Sequence, residues 1–228
     1  MKSFVISVPS LYHRLEETFW KSFSSSELIN PELFAGVEGK DHELPEWWVS
    51  KTKGNGILEH TNENAVWGLV QSYINLFNKL IDEKIDEPFL ILEDDSTIID
   101  EENFDNDLES FVKHLPNDWS IGYLSGYMKK DTTETEQINN YVSLSNSMMQ
   151  TNAIVYKNYK VLEVLRNQIY EHDTTDPIDF YFLETFNKNQ IPLYYSTKKL
   201  IIQYPYYTTT VIEPTMGGAG SSDDWFVD

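Results

Sequence analysis

The sequence predicts an α/β fold in which a mostly parallel central sheet is flanked by helices. Three observations predict it. Pro88-Phe89-Leu90-Ile91-Leu92-Glu93-Asp94-Asp95 runs four apolar residues straight into three carboxylates, the pattern of a short strand buried on both faces. Ser3 to Val8 is a second such run, and after Pro9-Ser10 the residues Leu15, Phe19 and Phe23 recur at helical spacing, so the chain opens strand, turn, helix. Strand-length apolar runs and amphipathic helices then succeed one another to Gln203.

Charges do not belong inside a buried strand, because an unpaired carboxylate is costly to bury. Glu93, Asp94 and Asp95 are therefore expected where the strand emerges, at its carboxyl end, which is where open α/β sheets bind ligands. Three crowded carboxylates repel one another unless something positive sits among them, and oxygen ligands suit Mg²⁺ or Mn²⁺. A solvated acidic turn is the other reading of the same octapeptide.

In chain order, Phe34 to Gly39 reads as a second short strand ending in a turn. Residues 40–61 carry Pro45, Trp47-Trp48 and Gly54-Asn55-Gly56 and read as a long irregular loop. The paired tryptophans are either a sugar-stacking platform or a cover for the core. From Asn62 to Lys84 the stripe Val66, Leu69, Val70, Tyr73, Phe77, Leu80, Ile81 predicts a helix capped by Thr61 or Asn62. A further helix is expected over Leu108 to His114, a strand over Trp119 to Leu124, and a polar loop over 128–139. Strands follow at Tyr141 to Leu144 and Ala153 to Tyr156, and a helix at Lys160 to Tyr170. Asp176 is expected to cap the next helix, with Pro177 its first residue and Asp179 at about the third position. Late strands are expected at Leu193 to Ser196 and Leu200 to Gln203, then a flexible tail over 206–228. No repeat or clear linker divides the chain, so 1–228 reads as a single domain.

A chain of 228 residues can bury a sizeable core, and its composition is globular, with 40% hydrophobic and 24% charged residues. The formal net charge of −20 opposes phosphate backbones and anionic membranes, so nucleic acid is an unexpected partner. The absence of cysteine excludes disulfides, thiolate metal sites and cysteine nucleophiles. No secretory leader is evident, and no apolar stretch approaches the ~20 residues that span a bilayer. These features lead to the expectation of a soluble cytoplasmic protein, with peripheral membrane contact left open.

With its elements in order, the chain resembles glycosyltransferase family 25, the lipooligosaccharide and collagen galactosyltransferase-like group with a GT-A nucleotide-sugar-binding fold. Phe4-Val5-Ile6-Ser7-Val8-Pro9 and Arg14 stand for the family's first strand and basic segment, and Gly36-Val37-Glu38-Gly39 for its "Ala-Val-Asp-Gly". Trp67 to Tyr73 leads to Leu92-Glu93-Asp94-Asp95 as the family's helix leads to "Leu-Glu-Asp-Asp". Trp119 to Gly122, Thr151 to Tyr156 and Pro177-Ile178-Asp179 resemble three later motifs, so the match runs from about Ser3 to about Pro205. The family's Cys and His positions are Leu69 and Tyr73 here, and its basic segment keeps only Arg14 with His13 beside it.

The resemblance implies a metal-dependent, inverting transferase that uses a nucleoside diphosphate sugar, a UDP-sugar above all, and the hydroxyl of a glycan or similar acceptor. It implies Asp95 as a ligand of Mn²⁺ or Mg²⁺, Glu93 supporting it, and Asp94 on the nucleotide. Asp179 is implied as the base that takes the acceptor proton, although the first turn of a helix lowers the pKa of an aspartate. Its alternative is a carboxylate serving the helix dipole. Val8, Pro9, Gly36, Val37 and Glu38 are implied around the base and ribose. Arg14 either reaches the diphosphate or is a surface helix-start arginine. Gly68 and Ser72 either admit the nucleotide or are packing choices. Three other readings fit parts of the sequence. A receiver-type Mg²⁺ pocket needs a later strand ending in Asp, which is missing. A carbohydrate-binding module would suit six tryptophans and fourteen tyrosines but has no need of a carboxylate trio. A phage-type nucleic-acid glycosyltransferase is opposed by the net charge.

Overall fold

The computed structural model describes residues 1–52, 63–126, 134–171 and 175–204. Eight strands form one sheet in the order β2-β1-β3-β8-β5-β9-β7-β6. They are β1 (Lys2–Ser7), β2 (Glu32–Ala35), β3 (Phe89–Glu93), β5 (Ile121–Tyr123), β6 (Thr135–Gln137), β7 (Val142–Ser145), β8 (Ala153–Tyr156) and β9 (Leu193–Ser196). β1 pairs parallel with β2 and β3, and β5 with β9, while β8 and β7 run antiparallel to each of their neighbours. Six of the eight strands therefore point one way. The mixed α/β sheet with mostly co-directional strands is the expected class.

Strands β1 and β3 are buried on both faces because their apolar residues run consecutively with nothing polar between them. On β1, Phe4 and Ile6 face one layer and Val5 the other, and on β3, Phe89 and Ile91 oppose Leu90 and Leu92. The first layer holds α4 (Glu63–Asp82), α6 (Tyr159–Glu171) and α7 (Ile178–Asn189), with Phe77, Leu165 and Phe182 in its centre. The second holds α1 (Tyr12–Arg14), α2 (Trp20–Phe23) and α5 (Phe104–His114), with Phe19, Phe23, Leu108 and Phe111. A widened turn at Leu15–Phe19 joins α1 to α2.

Several elements differ from expectation. β2 ends at Ala35, so Gly36 to Glu38 lie in the loop beyond it. A short helix, α3 (Glu46–Thr52), occupies part of the expected loop at 40–61, and Trp48 on it is fully buried, so that tryptophan covers the core. β6 lies within the expected polar loop, paired with β7. Pro177, not Asp176, takes the cap position of α7, which puts Asp179 second in the helix. The Gly54-Asn55-Gly56 turn, the Thr61 or Asn62 cap and the tail over 206–228 lie outside the described residues.

A second, two-stranded sheet leaves the first at the end of β3. β4 (Ser96–Ile98) begins immediately after Asp95 and pairs antiparallel with β10 (Ile201–Gln203), which sets Gln203 opposite Ser96. The carboxyl ends of β1, β2 and β3, the start of β8 and the end of β10 thus share one rim. Among the described residues, no helix is long and apolar enough to cross a membrane.

Candidate functional site

Glu93 closes β3, and its backbone N–H donates to the Asn152 carbonyl, 2.9 Å away. The chain then turns through Asp94 and Asp95 into β4. Alternation along strand and turn sends neighbouring side chains to different partners. Glu93 Oε1 accepts from Thr151 Oγ1 at 2.7 Å and lies 2.8 Å from the Tyr73 hydroxyl. Asp94 points elsewhere: Ser7 Oγ donates to its Oδ2 at 2.6 Å, and Arg14 Nη1 pairs with its Oδ1 at 3.4 Å. Asp95 Oδ2 accepts from Gln203 Nε2 at 2.7 Å. The other oxygen, Oδ1, is buried and has no hydrogen-bond partner among the described residues.

The expectation of three carboxylates gathered about one cation therefore needs correction. Among the described residues, no three acidic or histidine side chains converge to ligand a metal. Asp94 is committed to Ser7 and Arg14, leaving Glu93 and Asp95 as the pair. Burial, reinforced by the Asp95 charge, pushes the Glu93 carboxyl up to about 8, against the pull of Thr151 and Tyr73. Burial likewise raises Asp95 to about 6, with Gln203 opposing and Asp94 adding to it. Asp94 is also raised, since burial outweighs Ser7 and Arg14. A site that holds negative charge this unwillingly is suited to a proton or a cation. The fit is adequate for Mg²⁺ or Mn²⁺ carried by a diphosphate, because such ions take one or two carboxylates and fill their shell with phosphate oxygens and water. Asp95 Oδ1 is the oxygen available for that contact.

Arg14 is buried, not on the surface, and its contact with Asp94 turns it inward. Beside it, the loops after β1 and β2 are fastened to each other. Gly36 N–H donates to the Ser7 carbonyl at 2.8 Å, and Ser10 N–H to Glu38 Oε1 at 2.6 Å. Val37 N–H donates to Ser72 Oγ at 2.8 Å, and that hydroxyl donates to the Gly68 carbonyl at 2.6 Å. A Cβ on Gly68 would lie 2.7 Å from the Val37 carbonyl oxygen. The close approach at Gly68 and Ser72 is thus made by the chain's own Val37 to Gly39. Val8, Pro9, Gly36, Val37, Glu38, Gly68 and Ser72 are brought together as one assembly at the rim.

Asp179 lies in the first turn of α7, partly buried. Its Oδ1 accepts from the backbone N–H of Phe180 at 3.1 Å, and the Gln150 backbone also favours the charged form. Burial still raises its pKa, outweighing both effects and overturning the expected lowering by the helix start. Tyr123, fully buried nearby, is raised in turn by burial and by the Asp179 charge.

Ser7, Thr151 and Gln203 hold Asp94, Glu93 and Asp95, and none of the three is a site residue by sequence reasoning. Ser7 and Thr151 lie within motifs that carry the resemblance. Gln203 carried no local mark, because its place depends on pairing β10 with β4 more than a hundred residues away in the chain.

No family model matches the chain, and no curated protein matches it. Among solved structures, a glycosyltransferase involved in the glycosylation of the major capsid of PBCV-1 is similar over 91% of this chain and 95% of that one, with a TM-score of 0.45 and 11% sequence identity.

Proposed function

We propose that this chain is a metal-dependent glycosyltransferase that moves a sugar, with inversion, from a nucleoside diphosphate sugar to a hydroxyl of a glycan or similar acceptor. The observation that carries the reading is Asp95 Oδ1, a buried carboxylate oxygen without a hydrogen-bond partner among the described residues, at the rim where α/β sheets bind ligands. The family-25 resemblance of the motifs around it supports the same reading.

A divalent ion at this site supplies Lewis acidity to the departing diphosphate. Asp95 would hold that ion through Oδ1, with the Glu93 carboxyl beside it. Asp179 accepts the proton of the acceptor hydroxyl. The acceptor oxygen forms its bond to the anomeric carbon as the bond from that carbon to the diphosphate breaks, and the electron pair leaves with the diphosphate. The raised pKa of Asp179 makes it a stronger base than a solvated aspartate once ionised. Ser7 and Arg14 hold Asp94 at the end of β1, beside the assembly at Gly36 to Glu38 proposed to receive the nucleoside.

The test is thermal shift and calorimetry with UDP-, GDP-, CMP- and TDP-sugars, UDP-sugars first, with and without Mn²⁺, on wild type and Asp95→Ala. Mn²⁺-dependent stabilisation by one donor class, lost in the variant, is expected. No response to any donor under either condition overturns the reading.

A further inference from the structure

A line of polar side chains runs along the rim from Asp95 to Asn152. Gln203 Nε2 donates to Asp95 Oδ2 at 2.7 Å, and Gln203 Oε1 accepts from Gln150 Nε2 at 2.9 Å. Ser125 Oγ lies 3.3 Å from Gln150 Oε1 and gives its one proton to the nearer acceptor, Asn152 Oδ1, at 2.8 Å. The two ends of this line are unfinished. Asp95 Oδ1 and Asn152 Nδ2 are both buried and without a hydrogen-bond partner among the described residues. Asn152 is 1% exposed, and an unbonded amide N–H at such a place is unfavourable and rare in native proteins. Gln150, two residues earlier, stands at φ +81°, in the left-handed region that favours glycine. After that bend Thr151 reaches Glu93, while Asn152 reaches Ser125.

We propose that Asn152 binds the transferred sugar, its Nδ2 donating to a sugar hydroxyl of the nucleoside diphosphate sugar. The assignment rests on the transferase reading for the ligand and on strand order for the place. At this rim the strands follow one another as β2-β1-β3-β8-β5. The loops after β2 and β1 carry the assembly proposed for the nucleoside, and the end of β3 carries Asp95, proposed for the ion on the diphosphate. β8 runs antiparallel to β3, which brings its amino end, with Asn152 just before it, to the same rim. The Asn152 carbonyl accepts from the Glu93 N–H, so Asn152 stands one strand beyond the carboxylates. Neighbouring strands are about 4.8 Å apart, which is about the width of one sugar ring. Nucleoside, diphosphate and sugar are joined in that order, so the sugar falls on β8. A neutral N–H suits a hydroxyl there, because the charge of the diphosphate is met by the ion. Ser125 is a positioning residue: by holding Oδ1 it fixes which end of the Asn152 amide is left for the ligand.

The test compares a nucleoside diphosphate with its own sugar conjugates by calorimetry in Mn²⁺: UDP with UDP-galactose and UDP-glucose, and GDP with GDP-mannose. Asn152→Leu keeps the side-chain volume and removes the amide. Its dissociation constant for the sugar nucleotide is expected to rise about tenfold or more, the loss typical of a hydrogen bond to a substrate hydroxyl. Its constant for the nucleoside diphosphate alone is expected to stay within about threefold of wild type. Ser125→Ala, which leaves the amide in place but unheld, is expected to shift the ratio of the two constants the same way by about threefold. That variant decides the question by the same ratio if Asn152→Leu does not fold. A structural asparagine would lower the ligand-free melting temperature and leave the ratio unchanged. An unchanged ratio in a folded variant overturns the inference, and so does an equal loss for both ligands, which would put the amide on the diphosphate. Absence of any nucleotide binding by wild type overturns the transferase reading itself, and the sugar assignment falls with it.

Discussion

The Tyr73 hydroxyl on α4 lies 2.8 Å from Glu93 Oε1 at the end of β3. Burial pushes the phenol's pKa far above neutrality, so Tyr73 stays protonated and donates. Tyr73 is therefore a direct partner of the Glu93 carboxyl. Tyr73→Phe is expected to destabilise the protein by about 2 kcal/mol where Glu93 is ionised and by about 1 kcal/mol where it is neutral, since a hydrogen bond to a charge is the stronger. Urea denaturation at pH 9 and pH 6 measures both values. Equal losses at the two pH values would refute the contact.

The Glu93–Asp95 pair predicts an unusual dependence of metal-free stability on pH. Glu93 is raised to about 8 and Asp95 to about 6 in the folded chain. Between the ordinary carboxylate range and about pH 8 the folded state thus binds more protons than the unfolded state. The sign is then fixed: stability falls as pH rises through this window and is flat below it. Melting temperature in EDTA is expected to fall from pH 5 to pH 8.5. Glu93→Gln, which keeps an acceptor oxygen and removes the charge, is expected to flatten most of the slope. A melting temperature that rises with pH over this range contradicts the pair.

Arg14 and Asp94 are both almost fully buried, and their contact spans α1 and the turn after β3. Removing Arg14 leaves the buried Asp94 carboxylate with Ser7 as its hydrogen-bond donor among the described residues. Arg14→Met is expected to cost about 3 kcal/mol in chemical denaturation. Arg14→Met combined with Asp94→Asn is expected to recover at least half of that, because the uncompensated charge is gone. A double variant as unstable as the single one points to lost packing rather than lost pairing.

The legibility of the fold follows from which interactions are local. α4 was readable from Val66, Val70, Tyr73, Phe77 and Leu80, all buried as its stripe requires. Trp67, Ile74 and Leu76 are buried too, which a single stripe does not predict, because sheet and neighbouring helices cover the helix on more than one side. β8 at Ala153–Tyr156 was readable as a strand, but its reversed direction was not: an apolar run of four residues reads the same either way. The emergence of Glu93 to Asp95 at the rim followed from the cost of burying charge. Their separate partners did not, since Ser7 and Arg14, Thr151, and Gln203 come from three distant stretches of the chain.

Gly68 sits in the middle of α4, where helix propensity alone favours Ala by about 1 kcal/mol. A Cβ there would stand 2.7 Å from the Val37 carbonyl oxygen and 2.8 Å from the Gly39 nitrogen, both backbone atoms that cannot rotate away. The clash is expected to exceed the propensity gain, with a net loss of about 1–3 kcal/mol for Gly68→Ala. The displaced segment includes Gly36 to Glu38, so weaker donor binding by calorimetry is expected alongside the lower melting temperature. A more stable Gly68→Ala protein is incompatible with this packing.

Asp179 decides whether acid–base chemistry is done where the sequence placed it. Two effects compete there. The start of α7 and the Phe180 and Gln150 backbone favour the carboxylate, while burial disfavours it, and burial wins. A base raised in this way must lose its proton before transfer can proceed, so kcat is expected to climb with pH along a limb lying above the ordinary aspartate range. Asp179→Asn keeps an acceptor for the Phe180 N–H group but cannot take the proton. Its transfer kcat is expected to fall by about 10²–10⁴, with donor affinity retained. Steady-state rates over pH 4 to 8 for both proteins measure the two effects together. An Asn variant with the wild-type limb and rate would move the base to another residue.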